Sequence, residues 1–270
     1  MENLKALTEA VCCVAREAGH FLKEERKSFR REVVQEKHAH DYVSYVDKAS
    51  EKKVVSALRK LLPEAGFIAE EGSAAYSDET YCWVVDPLDG TTNYIHDNAP
   101  YCVSIALRDK QSLLLGVVYE PCRDECFYAW KGGGAYVNGE RLRVSLVSEP
   151  KDAFVVTELP YNFEQYARTG EHLIHELYGK VAGIRMNGSA ALALCYVAAG
   201  RFAAASVVFA VGTGGAAILI RFLLPYYTFL WKTHLKPGSC PLSISSSRVS
   251  VLYAGALCKR EKRAFASGVI

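Results

Sequence analysis

The first part of the chain carries apolar side chains at helical spacing. Residues 2–27 have one apolar stripe that repeats every three or four positions, which is typical of a helix packed on a core. The stripe consists of Leu4, Leu7, Val11, Val14, Ala18, Phe21 and Leu22. Residues 41–46 are β-prone, and a second helix is predicted to follow Asp47, which can cap it, and to end at Pro63.

Shorter apolar runs between turn residues predict a series of strands. They cover residues 67–69, 81–85, 102–108, 112–119, 125–130 and 153–157, with a hairpin over 135–144 around Asn138-Gly139. Later helices are predicted over 163–179 and 190–199, the second opened by Gly188-Ser189 and closed by Gly200. A helical start, then mostly antiparallel strands, then alternating elements predict an α+β layered fold rather than a dinucleotide-binding sheet.

Composition limits the classes of function. The chain has 270 residues, is 50% hydrophobic and 23% charged, and carries a net charge of +2 that points to no particular partner. Nine cysteines without a C-x-x-C pair are interpreted as reduced thiols of a cytoplasmic protein. The N-terminus has the pattern of an amphipathic helix, not of a signal peptide.

The charges are unevenly distributed along the chain. Residues 201–270 contain a single acidic residue, Glu261, and nine basic ones, while the other 29 acidic residues precede them. The last aspartate is Asp152. A basic tail raises the idea of nucleic-acid binding, but such a run is more often a solvated surface, so no nucleic-acid partner is predicted.

Three carboxylates follow buried strands: Glu70, Asp86 and Asp89. Pro87 and Gly90 predict a tight turn that lets both aspartates face one site. Crowded carboxylates repel one another unless a cation lies between them, and Mg²⁺ is the hard cation that prefers such oxygen ligands. Taken alone, the D-P-x-D-G string also fits a turn whose aspartates only bond to the backbone.

Four segments resemble the inositol monophosphatase family, in the order the family has them. Residues 83–93, W-V-V-D-P-L-D-G-T-T-N, resemble its first signature, and residues 67–73, F-I-A-E-E-G-S, resemble its upstream Glu-Glu motif. Residues 41–47, D-Y-V-S-Y-V-D, and 185–192, R-M-N-G-S-A-A-L, resemble two further segments. The resemblance implies a layered α-β-α-β-α sandwich, the sugar-phosphatase fold.

The resemblance also implies roles for individual residues. Mg²⁺ would be held by Glu70, Asp86, the Leu88 carbonyl and Asp89. Thr91 paired with Asp47 would orient and deprotonate the attacking water, and Glu70 completes the expected catalytic set. The expected substrate-binding residues are Asp89, Gly90, Thr91, Gly188, Ser189 and Ala190. Family members usually form homodimers, so a homodimer is also expected.

The chain departs from the family near its end. The second signature, W-D-x-A-A-G, is missing, and neither aspartate nor asparagine follows Asn187. We therefore predict residues 1–145 as a metal-binding part, 146–202 as the start of a substrate-side part, and 203–270 as a divergent tail. Three hypotheses for the tail remain open: a frameshifted or corrupted segment, a membrane segment beginning with the uncharged run 203–220, and a genuine pseudo-phosphatase.

The predicted activity is Mg²⁺-dependent hydrolysis of a small phosphate monoester such as inositol 1-phosphate, impaired because the last ligand aspartate is missing. Adenosine 3′,5′-bisphosphate or another sugar phosphate is an alternative substrate. A catalytically dead scaffold or a membrane-attached binding protein is the rival hypothesis, with membrane attachment the less favoured of the two.

Overall fold

The computed structural model describes residues 3–30, 35–38, 41–72, 79–159, 163–210 and 249–255. The helices in these ranges are α1 (Leu4–Arg26), α2 (Tyr45–Leu61), α3 (Thr91–Ile95), α4 (Phe163–Leu177) and α5 (Ala190–Ala198), with a short 3-10 helix at Pro150–Asp152. The strands are β1 (Gln35–His38), β2 (Asp41–Val43), β3 (Gly66–Ala69), β4 (Tyr81–Asp89), β5 (Cys102–Asp109), β6 (Leu113–Glu120), β7 (Glu125–Trp130), β8 (Gly134–Val137), β9 (Glu140–Arg141), β10 (Phe154–Glu158), β11 (Gly183–Arg185), β12 (Ala204–Ala210) and β13 (Val249–Gly255).

Helices α1 and α2 form the first layer. The predicted stripe of α1 is buried at Val11, Ala18 and Leu22, and the Asn3 side chain caps the helix. Helix α2 begins at Tyr45 with Ser44 as its N-cap, so the prediction that Asp47 caps it is wrong. Asp47 is instead the third helical residue and completes a capping box, because its carboxylate accepts the Ser44 N–H.

The second layer is a seven-stranded sheet of order β3-β4-β5-β6-β7-β8-β9. Strands β3 and β4 are parallel and the other neighbours are antiparallel. Alternate residues of the central strands point to opposite faces. Val117 and Tyr119 of β6 join the core under α1 and α2, whereas Val118 joins a second core with α5.

Helix α5 and a second sheet cover the other face of the first sheet. All residues from Ala191 to Ala198 are buried, so α5 is apolar all round, as expected of a helix between two layers. The second sheet has the order β11-β10-β12-β13, in which β10 is parallel to β11 and β12, and β13 is antiparallel to β12.

The predicted α+β layered class is confirmed, and most elements lie within a few residues of their predicted positions. The prediction of a strand over 44–46 is wrong, because that stretch caps and starts α2. Strands β1, β11, β12 and β13 were not predicted. Two of them, β12 and β13, belong to the tail, while its residues 211–248 and 256–270 lie outside the described ranges. The proposed domain boundaries stay a prediction.

Two further predictions touch the described residues. No helix within these ranges is both long and apolar enough to cross a bilayer, while most of the run 203–220 lies beyond them. The seven cysteines in the described part of the chain are unpaired, and their interpretation as reduced thiols stays a prediction.

Candidate active site

A bulge at the end of β4 brings Asp86 and Asp89 together. Asp86 pairs with Ser104 and Asp89 pairs with Cys102, so three steps along β4 match two along β5. In a regular strand, residues three apart point to opposite faces. The extra residue of a bulge re-aims the following side chain, so both carboxylates act on one site. Gly90 then turns the chain into α3 with a φ of 94°, which favours glycine.

Asp86 is the most enclosed acid of this group. Its side chain is 4% exposed and accepts a hydrogen bond from the Leu88 N–H at 3.1 Å. Burial raises the pKa of the Asp86 carboxyl well above its usual range, and the negative charges of Glu70 and Asp89 raise it further. Glu70 and Asp89 are therefore both close enough to repel the Asp86 carboxylate.

Glu70 reaches this site because β3 runs parallel to β4. Its N–H donates to the Val85 carbonyl at 3.3 Å, which continues the pairing of the two strands by one residue. The Glu70 side chain then lies within hydrogen-bonding reach of Asp86. The carboxyl ends of parallel strands commonly meet at functional sites, and here the parallel pair is the one that carries acids.

Glu70, Asp86 and Asp89 offer the oxygen ligands that a divalent cation prefers, but their side chains are not arranged as a complete coordination site. Among the described residues, no three His, Cys, Asp or Glu side chains are already arranged around one metal position. The crowding of Glu70, Asp86 and Asp89 nevertheless raises the free energy of the ionised site, and a cation between them would lower it. The Leu88 carbonyl adds an oxygen there and accepts the Thr91 hydroxyl at 2.9 Å.

Asp89 connects the first sheet to α5. Its Oδ2 accepts the Ser189 hydroxyl at 2.5 Å and the Ala191 N–H at 2.8 Å, and the Cys102 thiol lies 3.7 Å away. Burial raises the pKa of Asp89, whereas these donors and the Ala190 N–H lower it. The first turn of α5 is thus capped by a carboxylate of the chain itself.

Thr91 and Asp47 form the pair that the sequence predicted. The Thr91 hydroxyl lies 3.3 Å from Asp47 Oδ1. The other Asp47 oxygen accepts the Ser44 hydroxyl at 2.7 Å, so the capping box of α2 also fixes the orientation of this carboxylate. Burial raises the pKa of Asp47, which is 2% exposed.

The predicted substrate-binding residues 188–190 lie beside residues 86–90, the segment that carries Asp86 and Asp89. A Cβ on Gly90 would lie 3.2 Å from the Gly188 carbonyl oxygen, so the two backbones are in direct contact. Ser189 is the N-cap of α5 and is 1% exposed, with its hydroxyl donated to Asp89. Gly188 is exposed, and Ala190 follows it at the helix start.

Two residues at this contact were missed by the sequence analysis. The Asn93 amide donates to the Pro100 and Asn187 carbonyls, both at 2.7 Å. The Glu158 carboxylate accepts the Asn187 and Gly188 N–H groups, each at 2.9 Å, and burial raises its pKa to about 7. Asn93 stands within the signature string, but only the folded chain brings Glu158 to residues 187–188.

The chain is similar to known proteins in both sequence and fold. A profile of the inositol monophosphatase family matches residues 3–208. The Nus factor SuhB of Escherichia coli K12 is 40% identical over 188 residues, which cover 69% of this chain and 70% of that protein. A fructose-1,6-bisphosphatase/inositol-1-monophosphatase of Aquifex aeolicus is 37% identical over 202 residues, covering 75% and 76%.

A solved structure agrees with these sequence matches. The extragenic suppressor protein suhB of Bartonella henselae superposes with a TM-score of 0.74 at 33% identity, covering 80% of this chain and 84% of that one. The layered fold is the sugar-phosphatase fold. The chain belongs to the inositol monophosphatase family, and its relatives support a phosphatase of that type.

Proposed function

We propose that the protein hydrolyses a small phosphate monoester in a Mg²⁺-dependent reaction. The observation that carries the proposal is the convergence of Glu70, Asp86 and Asp89 on one edge of the sheet, next to the Thr91–Asp47 pair. Glu70, Asp86, Asp89 and the Leu88 carbonyl would hold the cation. When bound, it would neutralise charge that develops on the phosphoryl oxygens and lower the pKa of water.

The side chains of the protein have distinct tasks in this reaction. The Thr91 hydroxyl orients the attacking water, and Asp47 is within reach to accept the proton that passes through that hydroxyl. The raised pKa of Asp47 makes it a better proton acceptor than an exposed aspartate. The N–H groups of Gly90 and Thr91, at the turn, are the proposed donors to the phosphate.

Activity is expected to be lower than that of a relative with the second signature. No aspartate follows Asp152 in the sequence, so the ligand aspartate of the second signature is missing. One Asp89 oxygen is also engaged by α5, which leaves the other for a cation. Inositol 1-phosphate is the first substrate to test, because a relative is named inositol-1-monophosphatase. Adenosine 3′,5′-bisphosphate and fructose 1,6-bisphosphate are the next two.

The test is phosphate release from these compounds during a Mg²⁺ titration. Asp86→Asn should lower release by ~100-fold or more, because it removes a charged ligand shared by the whole site. Asp152→Asn is the matched control, because Asp152 is exposed and is ion-paired with its neighbour Lys151. Mg²⁺-independent release, or equal activity of Asp86→Asn and its parent, would show that the site is assigned wrongly.

A folded protein that releases no phosphate from any of the three would support the rival hypothesis of a dead scaffold. The missing second signature is the observation that favours this rival. Cytoplasmic localisation, a homodimer and the absence of a nucleic-acid partner remain predictions.

A further inference from the structure

The segment that leads into α5 is held by two side chains from different parts of the fold. We propose that Glu158, assisted by Asn93, is a positioning residue that sets the geometry of Asp89 through residues 187–188. The proposal rests on the proposed function, since it concerns the same metal site. It assigns Glu158 no contact with substrate.

Glu158 fills a concave arrangement of backbone N–H groups. It is the last residue of β10, and its parallel neighbour β11 ends at Arg185, so the chain leaves the sheet just beside it. The N–H groups of Asn187 and Gly188 each donate to a different oxygen of the Glu158 carboxylate, at 2.9 Å. Gly188 has a φ of 73°, and successive N–H groups in such a turn form a nest that binds anions.

Asn93 holds the opposite side of the same segment. The Asn93 amide donates to the Asn187 carbonyl, and the Glu158 carboxylate accepts the Asn187 N–H. Both backbone polar groups of Asn187 are therefore held by side chains. The contact leaves no free space, because a Cβ on Gly188 would lie 2.8 Å from Asn93 Oδ1. Residues 187–188 are therefore held in one position relative to the signature segment, residues 83–93.

The position of this segment is passed on to Asp89. The next residue, Ser189, donates its hydroxyl to Asp89 Oδ2, and the Ala191 N–H donates to the same atom. A shift of residues 187–188 would move these donors and rotate the carboxylate that they hold. Residues that orient metal ligands in this way typically change metal affinity by 10–100-fold when they are removed.

A carboxylate is needed because both nest groups are donors. Glutamine offers a single acceptor oxygen and would direct its own NH₂ at the second N–H group. In Glu158→Gln we therefore expect faster hydrogen exchange at the amides of Asn187, Gly188 and Ala191. We also expect Mn²⁺ affinity, measured by electron paramagnetic resonance on the full chain, to fall by about tenfold.

A matched control and a rescue experiment separate positioning from general stability. Glu149→Gln should behave like the parent, because Glu149 is exposed and makes no capping hydrogen bond. Glu158→Ala removes the carboxylate from the nest, so added formate should restore Mn²⁺ binding in that variant. Formate should leave Mn²⁺ binding by the parent unchanged. Glu158→Gln and Glu158→Ala are first checked for a cooperative thermal transition. Glu158→Asp replaces either variant that lacks one.

The outcomes are decisive whether or not the protein is active. Unchanged Mn²⁺ affinity in a folded Glu158→Gln protein, or a lowered melting temperature with neither affinity loss nor formate rescue, overturns the proposal. A parent that binds Mn²⁺ but releases no phosphate refutes the proposed function, while the affinity difference still supports the role of Glu158. In an active parent, the loss should appear in the Mg²⁺ concentration for half-maximal rate and in kcat more than in KM.

Discussion

At the scale of single residues, Thr91 has one hydroxyl proton and two acceptors within reach. The Leu88 carbonyl is 2.9 Å away and Asp47 Oδ1 is 3.3 Å away, so the proton can be directed to either. A side chain with this choice can transfer a proton between water and Asp47 without moving its backbone. The methyl group of threonine is not needed for this proton transfer. A variant that lacks the hydroxyl can therefore be compared with one that lacks the methyl group.

Thr91→Val should lower kcat by about 10²–10⁴-fold, the usual range for losing a proton-transfer group, while Thr91→Ser should stay within about tenfold of the parent. Steady-state phosphate release for both variants measures the difference. Valine has nearly the same shape as threonine, so it is also the control for packing. A large loss in Thr91→Ser together with near-parental activity of Thr91→Val would mean that the methyl group, rather than the hydroxyl, matters.

The residues of the site differ in how far the sequence could predict them. Asp86 and Asp89 were predictable because Pro87 and Gly90 interrupt the apolar run of a buried strand, although β4 continues through a bulge to Asp89 instead of turning at Pro87. Their roles as ligands remain predictions. Glu158 was not predictable, because its partners are 29 and 30 residues away and are set by a parallel pairing of short strands.

At the scale of elements, the packing of α1 on β6 depends on a missing side chain. A Cβ on Gly19 would lie 2.4 Å from the ring of Tyr119, which is fully buried. That ring cannot move aside, because its hydroxyl donates to Asp124 and the Arg16 guanidinium covers its face at 5.1 Å. Helix and sheet can therefore approach closely only with glycine at this position.

Gly19→Ala should destabilise the protein by about 1–2 kcal/mol, because overpacking outweighs the gain of about 1 kcal/mol in helix propensity. Gly170→Ala in α4 is the opposite case. There the new Cβ meets, among the residues whose side chains are described, only the end of the Leu159 side chain at 3.2 Å, and Leu159 is 40% exposed. Urea unfolding should place the two variants on opposite sides of the parent, and stabilisation by Gly19→Ala would contradict the packing argument.

Long periodic elements were predicted more reliably than short ones. The stripe of α1 and the continuous apolar runs of β5 and β6 are strong signals, because both faces of these two strands are largely buried. Strand β11 has three residues, Gly183–Arg185, and owes its existence to pairing with β10. No local pattern marks such a strand.

At the scale of the whole molecule, the acidic site joins elements that are far apart in sequence. Glu70 follows β3, Asp86 and Asp89 end β4, and Asp89 holds the first turn of α5. A cation bound there would link the first sheet to α5 as well as serve chemistry. The hydrogen bonds of Asp89 to α5 exist without a cation, and a cation would strengthen the link because it offsets the repulsion that Glu70 and Asp89 exert on Asp86.

Mg²⁺ should therefore raise the melting temperature of the parent, by an amount that grows with the logarithm of its concentration. A concentration 100 times the Kd stabilises by about 2.7 kcal/mol. Asp86→Asn should melt at or above the metal-free parent and respond little to Mg²⁺, since it removes a buried negative charge. Differential scanning calorimetry with NaCl at equal ionic strength as the control measures both effects. A Mg²⁺ response that survives in Asp86→Asn would place the cation elsewhere.

Helix α5 lies between two sheets with every side chain from Ala191 to Ala198 buried. A segment this apolar has no soluble state of its own. Removing it would leave Phe127, Ala129 and Val118 of the first sheet open to water. The chain therefore cannot be divided at the interface between the first sheet and α5. A fragment that ends near residue 145 should aggregate rather than form a minimal metal-binding unit.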